Sequence, residues 1–332
     1  MRNKPNAKGL QPLEIWFLVV FVGRPCPRMD RRAARVGAVL TPDAIASSEH
    51  GSLGAAVSVV LSDEERDAGR LRRETVDSAV NILDRAGVVV LHNALQPQLV
   101  AQAHSELCAK WENLHAGYVL PYEQAYADVD GVGTRRFREC VSRGAGRYDM
   151  SLAEHEGEED SEDAPASAAL SSSGVAGAVV RACLGRRAIP FGNGVVVSLP
   201  GSTDQPKHVD SPHLFDPRAT GAEPPTGPGA HGDAGLAFVR GALPAHHLTV
   251  FTPLVDLTEA TGCTRFVPGS HLTHTGGWRG PPPPAEELYE QLFPVRGCVV
   301  IFDCRVYHQG TGNTSGALRP IHYRVRFFLT VR

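Results

Sequence analysis

The pattern of hydrophobic and polar positions divides the chain into a helical part and a β part. Apolar residues recur at spacings of three and four through residues 76–83 and through residues 100–114, which predicts two amphipathic helices. Gly87 and Gly117 stand where these helices are expected to end. The continuous apolar run at 88–91 lies between them and predicts a buried strand.

Beyond residue 190 the pattern changes to short strands bounded by turn residues. The predicted strands lie at 195–197, 247–257, 264–267, 297–303 and 321–331. No helical period separates these runs, so a parallel sheet with crossover helices is not indicated. We therefore predict a mainly β fold with flanking helices, a double-stranded β-helix of the jelly-roll or cupin-like type.

The same pattern predicts a single domain over residues 51–332, preceded by an extension at 1–50. The extension contains an apolar run at 15–22 between basic residues, far short of the roughly 20 residues that span a bilayer. Both a targeting segment and a disordered extension remain open for it. Within the domain, an acidic and then Ala/Ser-rich stretch at 154–174 predicts a solvated loop. The Gly/Pro-rich insert at 216–236 is long enough to cover an active site.

Composition narrows the functional classes only a little. A net charge of -3 gives no indication of nucleic-acid binding, and no transmembrane span is predicted. The 7 cysteines are scattered without a Cys-x-x-Cys motif, which argues against a disulfide framework or a zinc ribbon. This favours an intracellular reducing compartment, with organelle targeting by residues 1–42 left open. The oligomeric state does not follow from the sequence.

The candidate chemistry begins with His208 and Asp210, which are separated by one residue. In extended backbone, residues i and i+2 point to the same side, so one imidazole and one carboxylate can converge on a point. His308, which follows a predicted strand much later in the chain, is the third candidate. Two histidines and one carboxylate form the facial triad that suits non-haem Fe(II) oxygenases, with open positions left on the metal.

Arg319 is a separate candidate, beyond the turn-forming residues 310–316 that follow His308. If these residues form a hairpin, Arg319 returns beside His308. A guanidinium there can hold a carboxylate in bidentate fashion. A dicarboxylic cosubstrate that binds the metal at one end would need such an anchor at its other end.

Several motifs in order resemble the phytanoyl-CoA dioxygenase family of Fe(II)/2-oxoglutarate-dependent oxygenases. The matching segments are 205–210, 253–258, 262–271, 297–303 and 308–319. The resemblance implies that His208, Asp210 and His308 bind Fe(II), and that Arg319 binds 2-oxoglutarate. It also implies a dioxygenase that hydroxylates a small-molecule substrate with O₂ and releases succinate and CO₂.

Other polar residues near these motifs receive less specific interpretations. Gln205 is a candidate for the cosubstrate pocket, and His271 is interpreted as structural. Lys207 departs from the family, in which an aromatic residue is frequent before the metal-binding histidine. Arg143 and Arg147 could form a basic lip for an acidic substrate, although a plain surface loop is favoured.

Two alternative functions remain open from the sequence. One is a non-catalytic jelly-roll module that binds a small ligand. The other is a metal-dependent cupin enzyme that does not use 2-oxoglutarate and therefore does not depend on Arg319. The side chain of His213 is equally suited to substrate contact and to solvent.

Overall fold

The computed structural model describes residues 53–121, 136–137, 140–152, 166–171, 174–186, 188–211, 244–273 and 283–328. Several sequence predictions lie outside these residues: the N-terminal extension, the acidic residues 154–163, His213 and the insert at 216–236.

The described helices lie mostly in the N-terminal half. They are α1 (Leu53–Ala56), α2 (Asp63–Asp67), α3 (Arg73–Ala86), α4 (Pro97–Leu114), α5 (Ala166–Ser171), α6 (Gly174–Leu184) and α7 (Ser270–Thr273), with a 3₁₀ turn at Glu286–Leu288. None of these described helices is long and apolar enough to cross a bilayer.

The two predicted amphipathic helices are present as α3 and α4, but two details of the prediction were wrong. Gly117 does not end the second helix, because a π-helical turn at His115–Val119 continues α4 through it. The predicted loop at 154–174 is interrupted by α5, which docks on α4 through hydrogen bonds from Ser167 to Glu106. An Ala-rich segment can become helical in this way once it has an apolar face to cover.

The described strands follow the predicted β part and add a hairpin before it. They are β1 (Ser58–Val60), β2 (Val88–His92), β3 (Arg136–Phe137), β4 (Cys140–Gly144), β5 (Arg147–Ser151), β6 (Ala188–Ser198), β7 (His247–Pro253), β8 (Thr264–Phe266), β9 (Glu290–Leu292), β10 (Val299–Asp303), β11 (His308–Gly310) and β12 (Arg319–Phe328).

These strands form two sheets that face each other. The large sheet has the order β1-β2-β10-β7-β12-β6-β5-β4-β3 and the small one β11-β8-β9. All pairings are antiparallel except β1 with β2. Phe266 of the small sheet packs against Phe302 of the large sheet, with ring centroids 5.2 Å apart. The prediction of a jelly-roll fold is therefore confirmed.

The helices cover the outer face of the large sheet. Trp111 of α4 packs its ring 5.0 Å from that of Tyr148 on β5, and both side chains are buried. Because neighbouring residues of a strand point to opposite faces, Arg147 and Asp149 of β5 lie on the inner face. Polar side chains of β5 therefore point into the space between the two sheets.

Gly87 connects helix α3 to the loops of the barrel. It ends α3 in the left-handed region with a φ of 78°, and its carbonyl accepts a hydrogen bond from the Asp303 amide at 2.8 Å. A Cβ on Gly87 would lie 2.6 Å from Nδ1 of His271, which is buried against it. His271 thus packs in the turn that joins α3 to the sheet, as its structural interpretation expects.

We expect Gly87→Ala to destabilise the protein by about 2–4 kcal/mol, because left-handed strain and steric overlap with His271 add together. Gly69 is a matched control, since its φ is also positive at 60° but a Cβ there meets nothing within 4 Å. Gly69→Ala should cost only about 1 kcal/mol. Urea unfolding of both variants measures the difference. Equal losses of stability would contradict the packing argument.

Candidate active site

Residues 205–211 run antiparallel to β11 and extend the small sheet at its edge. The amide of His208 donates to the carbonyl of His308 at 3.0 Å, and the amide of His308 donates back at 2.9 Å. Further along, the amide of Gln205 donates to the carbonyl of Gly310 at 2.9 Å. Directly opposed residues of antiparallel strands point to the same face. The pairing therefore places the two histidine side chains next to each other.

His208, Asp210 and His308 converge as the sequence predicted. Oδ1 of Asp210 lies 3.9 Å from Nε2 of His208 and 3.5 Å from Nε2 of His308. Within the described part of the chain, these three form the only group of His, Cys, Asp or Glu whose ligand atoms all lie within 4.8 Å of one another. Phe266 and Phe302 pack against His308 and bury it.

The remaining polar atoms of the triad are held by neighbours. Nδ1 of His208 lies 2.7 Å from the Pro206 carbonyl, and Nδ1 of His308 lies 3.0 Å from the Val306 carbonyl. An imidazole that donates from Nδ1 keeps its lone pair on Nε2, the atom that faces the other ligands. The Thr249 hydroxyl donates to Oδ2 of Asp210 at 2.9 Å, which leaves Oδ1 for a metal.

The electrostatics of the triad favour a cation. Burial and the neighbouring His308 lower the pKa of His208 to about 4, so this imidazole is neutral and able to act as a ligand. Burial would raise the pKa of Asp210, but the two imidazoles outweigh it and hold this pKa below its ordinary value. Conversely, Asp210 raises the pKa of His308 against the effect of burial. One carboxylate thus attracts positive charge to the point where the ligand atoms meet.

These observations fit a divalent transition metal, and Fe(II) in particular. The site offers two imidazole nitrogens and one carboxylate oxygen from one side, each oriented by a second hydrogen bond. Such a set leaves metal positions open for other ligands and is characteristic of non-haem Fe(II) sites. A closed structural zinc site would instead require a fourth protein ligand.

Arg319 and Gln205 both lie close to β11 and to the residues that follow it. Arg319 is 1% exposed, and its Nη1 donates to the carbonyls of Thr261 and Thr311 at 3.0 and 2.9 Å. Oε1 of Gln205 lies against Gly310, where a Cβ would come within 2.3 Å of it. Gly310 and His308 lie two residues apart and share one face of β11, so the Gln205 side chain lies on the face that carries His308.

Lys207 points to the opposite side of its extended segment from His208. Its ammonium pairs with Glu286 and lies 4.6 Å from the centroid of the Tyr289 ring. Arg265 of β8 also pairs with Glu286 and donates to Gln309. Through these contacts, Lys207 links the segment around His208 to residues on the outer side of the small sheet. This contact gives a structural reason for a lysine where the family often has an aromatic residue.

The β4–β5 hairpin contributes residues that the sequence analysis assigned to a surface loop. That interpretation was wrong for Arg147, which is only 2% exposed and lies inside the barrel. Asp149 accepts hydrogen bonds from Tyr323 at 2.8 Å and from Arg143 at 2.6 Å. Gly194 makes room for the Tyr323 ring, since a Cβ there would lie 2.8 Å from the phenol oxygen. The alternation of polar and apolar residues at 147–151 was the signal for this strand.

A family model described as phytanoyl-CoA dioxygenase (PhyH) matches residues 83–321. Among solved structures, the chain is similar to the non-heme alpha ketoglutarate dependent epimerase SnoN from nogalamycin biosynthesis, at 18% identity over 77% of this chain and 82% of that chain, with a TM-score of 0.48. It is similar to the carbocyclase SnoK from the same biosynthesis, at 20% identity over 78% and 85%, with a TM-score of 0.46. AviO1 from Streptomyces viridochromogenes Tue57 matches at 16% identity over 77% and 96%, with a TM-score of 0.45.

Proposed function

Because its residues 83–321 match the family model, the chain belongs to the phytanoyl-CoA dioxygenase family, and on that premise we propose that it hydroxylates a small organic substrate. The general type of enzyme follows from the family: the chain is an oxygenase whose cofactor is Fe(II) and whose cosubstrate is 2-oxoglutarate. The proposal adds that the reaction is a hydroxylation and that residues 51–332 form the catalytic domain. It also assigns roles to individual residues.

The convergence of His208, Asp210 and His308 is the observation that carries the proposal. Their ligand atoms lie within 4.8 Å of one another, while both Nδ1 atoms and Oδ2 of Asp210 have other partners. A module that only binds a small ligand has no use for three ligand atoms oriented in this way. We therefore assign the three residues as the Fe(II) ligands.

When bound, Fe(II) and 2-oxoglutarate supply the activation of O₂ and the oxidative decarboxylation that yields succinate, CO₂ and the oxidised substrate. The residues of the chain orient the reactants and exclude competing reactions. Thr249 holds the Asp210 carboxylate so that one oxygen faces the metal position. Arg319 is buried, and its guanidinium would hold the distal carboxylate of the cosubstrate. Since Asp210 supplies a carboxylate where a halogenase would leave room for chloride, hydroxylation is the reaction we propose.

The test is succinate release from 2-oxoglutarate by anaerobically purified protein that receives Fe(II) and then O₂. Many enzymes of this class decarboxylate 2-oxoglutarate slowly without their substrate, so the substrate need not be known. Fe(II) binding and 2-oxoglutarate binding are measured on the same samples. Wild-type protein should release succinate. Arg319→Ala should still bind Fe(II) and lose most of this turnover.

The outcomes separate the proposal from its two alternatives. A wild-type protein that binds Fe(II) and 2-oxoglutarate without turnover, with every tested substrate, would be a binding module. Metal-dependent turnover of another substrate that Arg319→Ala leaves unchanged would indicate a cupin enzyme that does not use 2-oxoglutarate. Failure of the wild-type protein to bind 2-oxoglutarate at all would contradict the proposed function.

A further inference from the structure

Three rings meet on the inner face of the large sheet, close to the triad. Phe327 of β12 pairs in register with His247 of β7, which lies two residues along that strand from Thr249. The Thr249 hydroxyl donates to Asp210, and residues two apart in a strand share a face, so His247 and Phe327 lie on the face that borders the triad. The Phe191 ring lies 6.0 Å from that of His247 and 6.1 Å from that of Phe327, measured between centroids. We call Phe191, His247 and Phe327 the ring cluster.

Phe191 owes its position in the ring cluster to a β-bulge. The register between β6 and β12 shifts there, because Gly192 pairs with Val325 while Pro190 pairs with Arg326. Phe191 is the extra residue, and an extra residue in a strand re-aims its side chain. Phe191 is 69% exposed in spite of its ring contacts. A large apolar ring left uncovered beside a candidate active site is typical of a surface that binds a ligand.

Gly192 leaves room beside the ring cluster. A Cβ on Gly192 would lie 3.8 Å from the Val325 side chain and 3.9 Å from Tyr323, which are ordinary contacts. Packing therefore does not require a glycine, and the missing side chain leaves space on the inner face. Val325 pairs on its other side with Thr249, so this space lies next to the strand position that supports Asp210.

His247 supplies the ring cluster with a buried polar atom that has no partner. The residue is 5% exposed, and its Nδ1 lies 3.0 Å from the Ser211 hydroxyl. Nε2, on the side of the imidazole away from Ser211, is buried and has no hydrogen-bond partner among the described residues. Burial lowers the pKa of His247, so the imidazole is neutral. A buried polar atom without a partner is costly, and a hydroxyl or carbonyl of a ligand would satisfy it.

We propose that the ring cluster holds a flat, mostly apolar ring system of the substrate, and that Nε2 of His247 forms a hydrogen bond with a hydroxyl or carbonyl group on it. This inference rests on the proposed function and names its substrate class. Aromatic side chains favour flat rings through stacked and edge-on contacts. His247 and Thr249 are separated along β7 by about 7 Å, which is comparable to the length of two fused six-membered rings. A fused ring system held at the cluster would therefore extend towards the triad.

The probe for this site is 6-fluoro-2-naphthol, observed by fluorine NMR on the full chain loaded with Zn(II) and 2-oxoglutarate. The analogue 2-fluoronaphthalene lacks the hydroxyl group. Decahydro-2-naphthol keeps the hydroxyl group without the flat ring and is measured by competition. Exchange of Zn(II) for paramagnetic Mn(II) broadens the fluorine signal of a probe that binds near the triad. Succinate release by the Fe(II)-loaded protein is measured in parallel, so that the proposed function is tested separately.

The wild-type protein should bind the naphthol with Mn(II)-dependent broadening, and more tightly than either analogue. Phe191→Ala should weaken naphthol binding about 3- to 10-fold, because an aromatic contact is lost. Gly192→Leu should fill the space beside the cluster and abolish naphthol binding, while the protein stays folded because a Cβ fits there. Phe293→Ala is the matched control, since it removes an exposed phenylalanine outside the cluster and should bind the naphthol like wild type.

His247→Phe should lower the preference for the naphthol over 2-fluoronaphthalene about 3- to 10-fold, the loss of one hydrogen bond. His247→Gln should keep part of it, because its amide reaches the position of Nε2. This preference is a ratio from one sample and does not depend on the fraction that is folded. A ring cluster that only packs the end of the sheet predicts an unchanged preference in His247→Phe, which would overturn the inference.

Two further results would overturn the inference while succinate release keeps the proposed function. One is a wild-type protein whose naphthol signal shows no Mn(II)-dependent broadening. The other is binding of decahydro-2-naphthol as tight as that of the naphthol. A wild-type protein that does not bind 2-oxoglutarate would contradict the proposed function and, with it, the inference that rests on it.

Discussion

Replacing His208 by alanine should remove Fe(II) binding at micromolar metal and, with it, succinate release from 2-oxoglutarate. The imidazole is one of the three proposed protein ligands, and its Nδ1 is already held by the Pro206 carbonyl. Changes to residues that only support a metal ligand typically cost about 10–100-fold in affinity. Loss of the ligand itself should exceed that range.

Two comparisons make this prediction specific. Thr249→Val removes the hydroxyl that orients Asp210 and should weaken Fe(II) binding about 10–100-fold without abolishing it. His104→Gln removes a histidine that lies on α4, outside the triad, and should change neither affinity nor turnover. The measurement is an anaerobic titration of Fe(II) against a coloured chelator, followed by the succinate assay.

His208 is well suited to this test because its side chain is 35% exposed. Its loss therefore leaves no sealed cavity, and the apo protein should unfold at nearly the wild-type temperature. The corresponding His308→Ala would also remove a buried ring from between Phe266 and Phe302, so that lost metal and lost stability would be mixed. Wild-type Fe(II) affinity in His208→Ala would exclude His208 from the metal site.

The convergence of His208 and Asp210 was predictable because it depends on residues that are neighbours in the chain. His208 and Asp210 are separated by one residue in extended backbone, and that spacing alone places both side chains on one face. The pairing of this segment with β11 was not predictable, since it depends on a contact between residues far apart in the chain. Only the order of motifs along the chain indicated that His308 completes the set.

Arg147 shows why other inward-facing residues were not predicted. Arg147 stands between two glycines of the hairpin and Tyr148, and this context was interpreted as a surface loop. Its burial results from the pairing of β5 with β6, which brings Arg147 opposite Ser198. A sequence pattern predicts the face of the strand on which a residue lies. Which residues it contacts there depends on the order of the strands in the nine-stranded sheet. The π turn after α4 has the same cause, because packing continues a helix past a glycine that usually ends one.

The largest effect on stability is expected from Asp303, at the end of β10. Its Oδ1 accepts hydrogen bonds from the Arg305 amide and Nε at 3.0 and 2.8 Å, and its Oδ2 accepts one from Nη2 at 2.6 Å. Both side chains are buried. Asp303→Asn removes the carboxylate that neutralises most of the buried Arg305 charge, so we expect a loss of about 3–5 kcal/mol in the free energy of unfolding.

The pH dependence of that loss identifies its cause. Burial would raise the pKa of Asp303, but the charge of Arg305 outweighs it and holds the pKa below its ordinary value. A carboxyl whose pKa is lowered on folding stabilises the protein fully above its unfolded pKa of about 3.9, and this contribution disappears as the pH falls below that value. The difference between wild type and Asp303→Asn in urea unfolding should therefore be constant from pH 7 to about pH 5 and narrow only in stronger acid.

The double variant Asp303→Asn/Arg305→Met distinguishes the loss of charge neutralisation from the loss of hydrogen bonds. Removing both charges should recover much of the stability, because replacing a whole buried ion pair is often nearly neutral. A double variant as unstable as Asp303→Asn would contradict this account. The ion pair of Asp303 and Arg305 also lies next to the candidate active site. The carbonyl of Cys304, between the two residues, accepts hydrogen bonds from the amides of Asp210 and Ser211. Asp303→Asn should therefore weaken Fe(II) binding as well, and the double variant should restore it along with the fold.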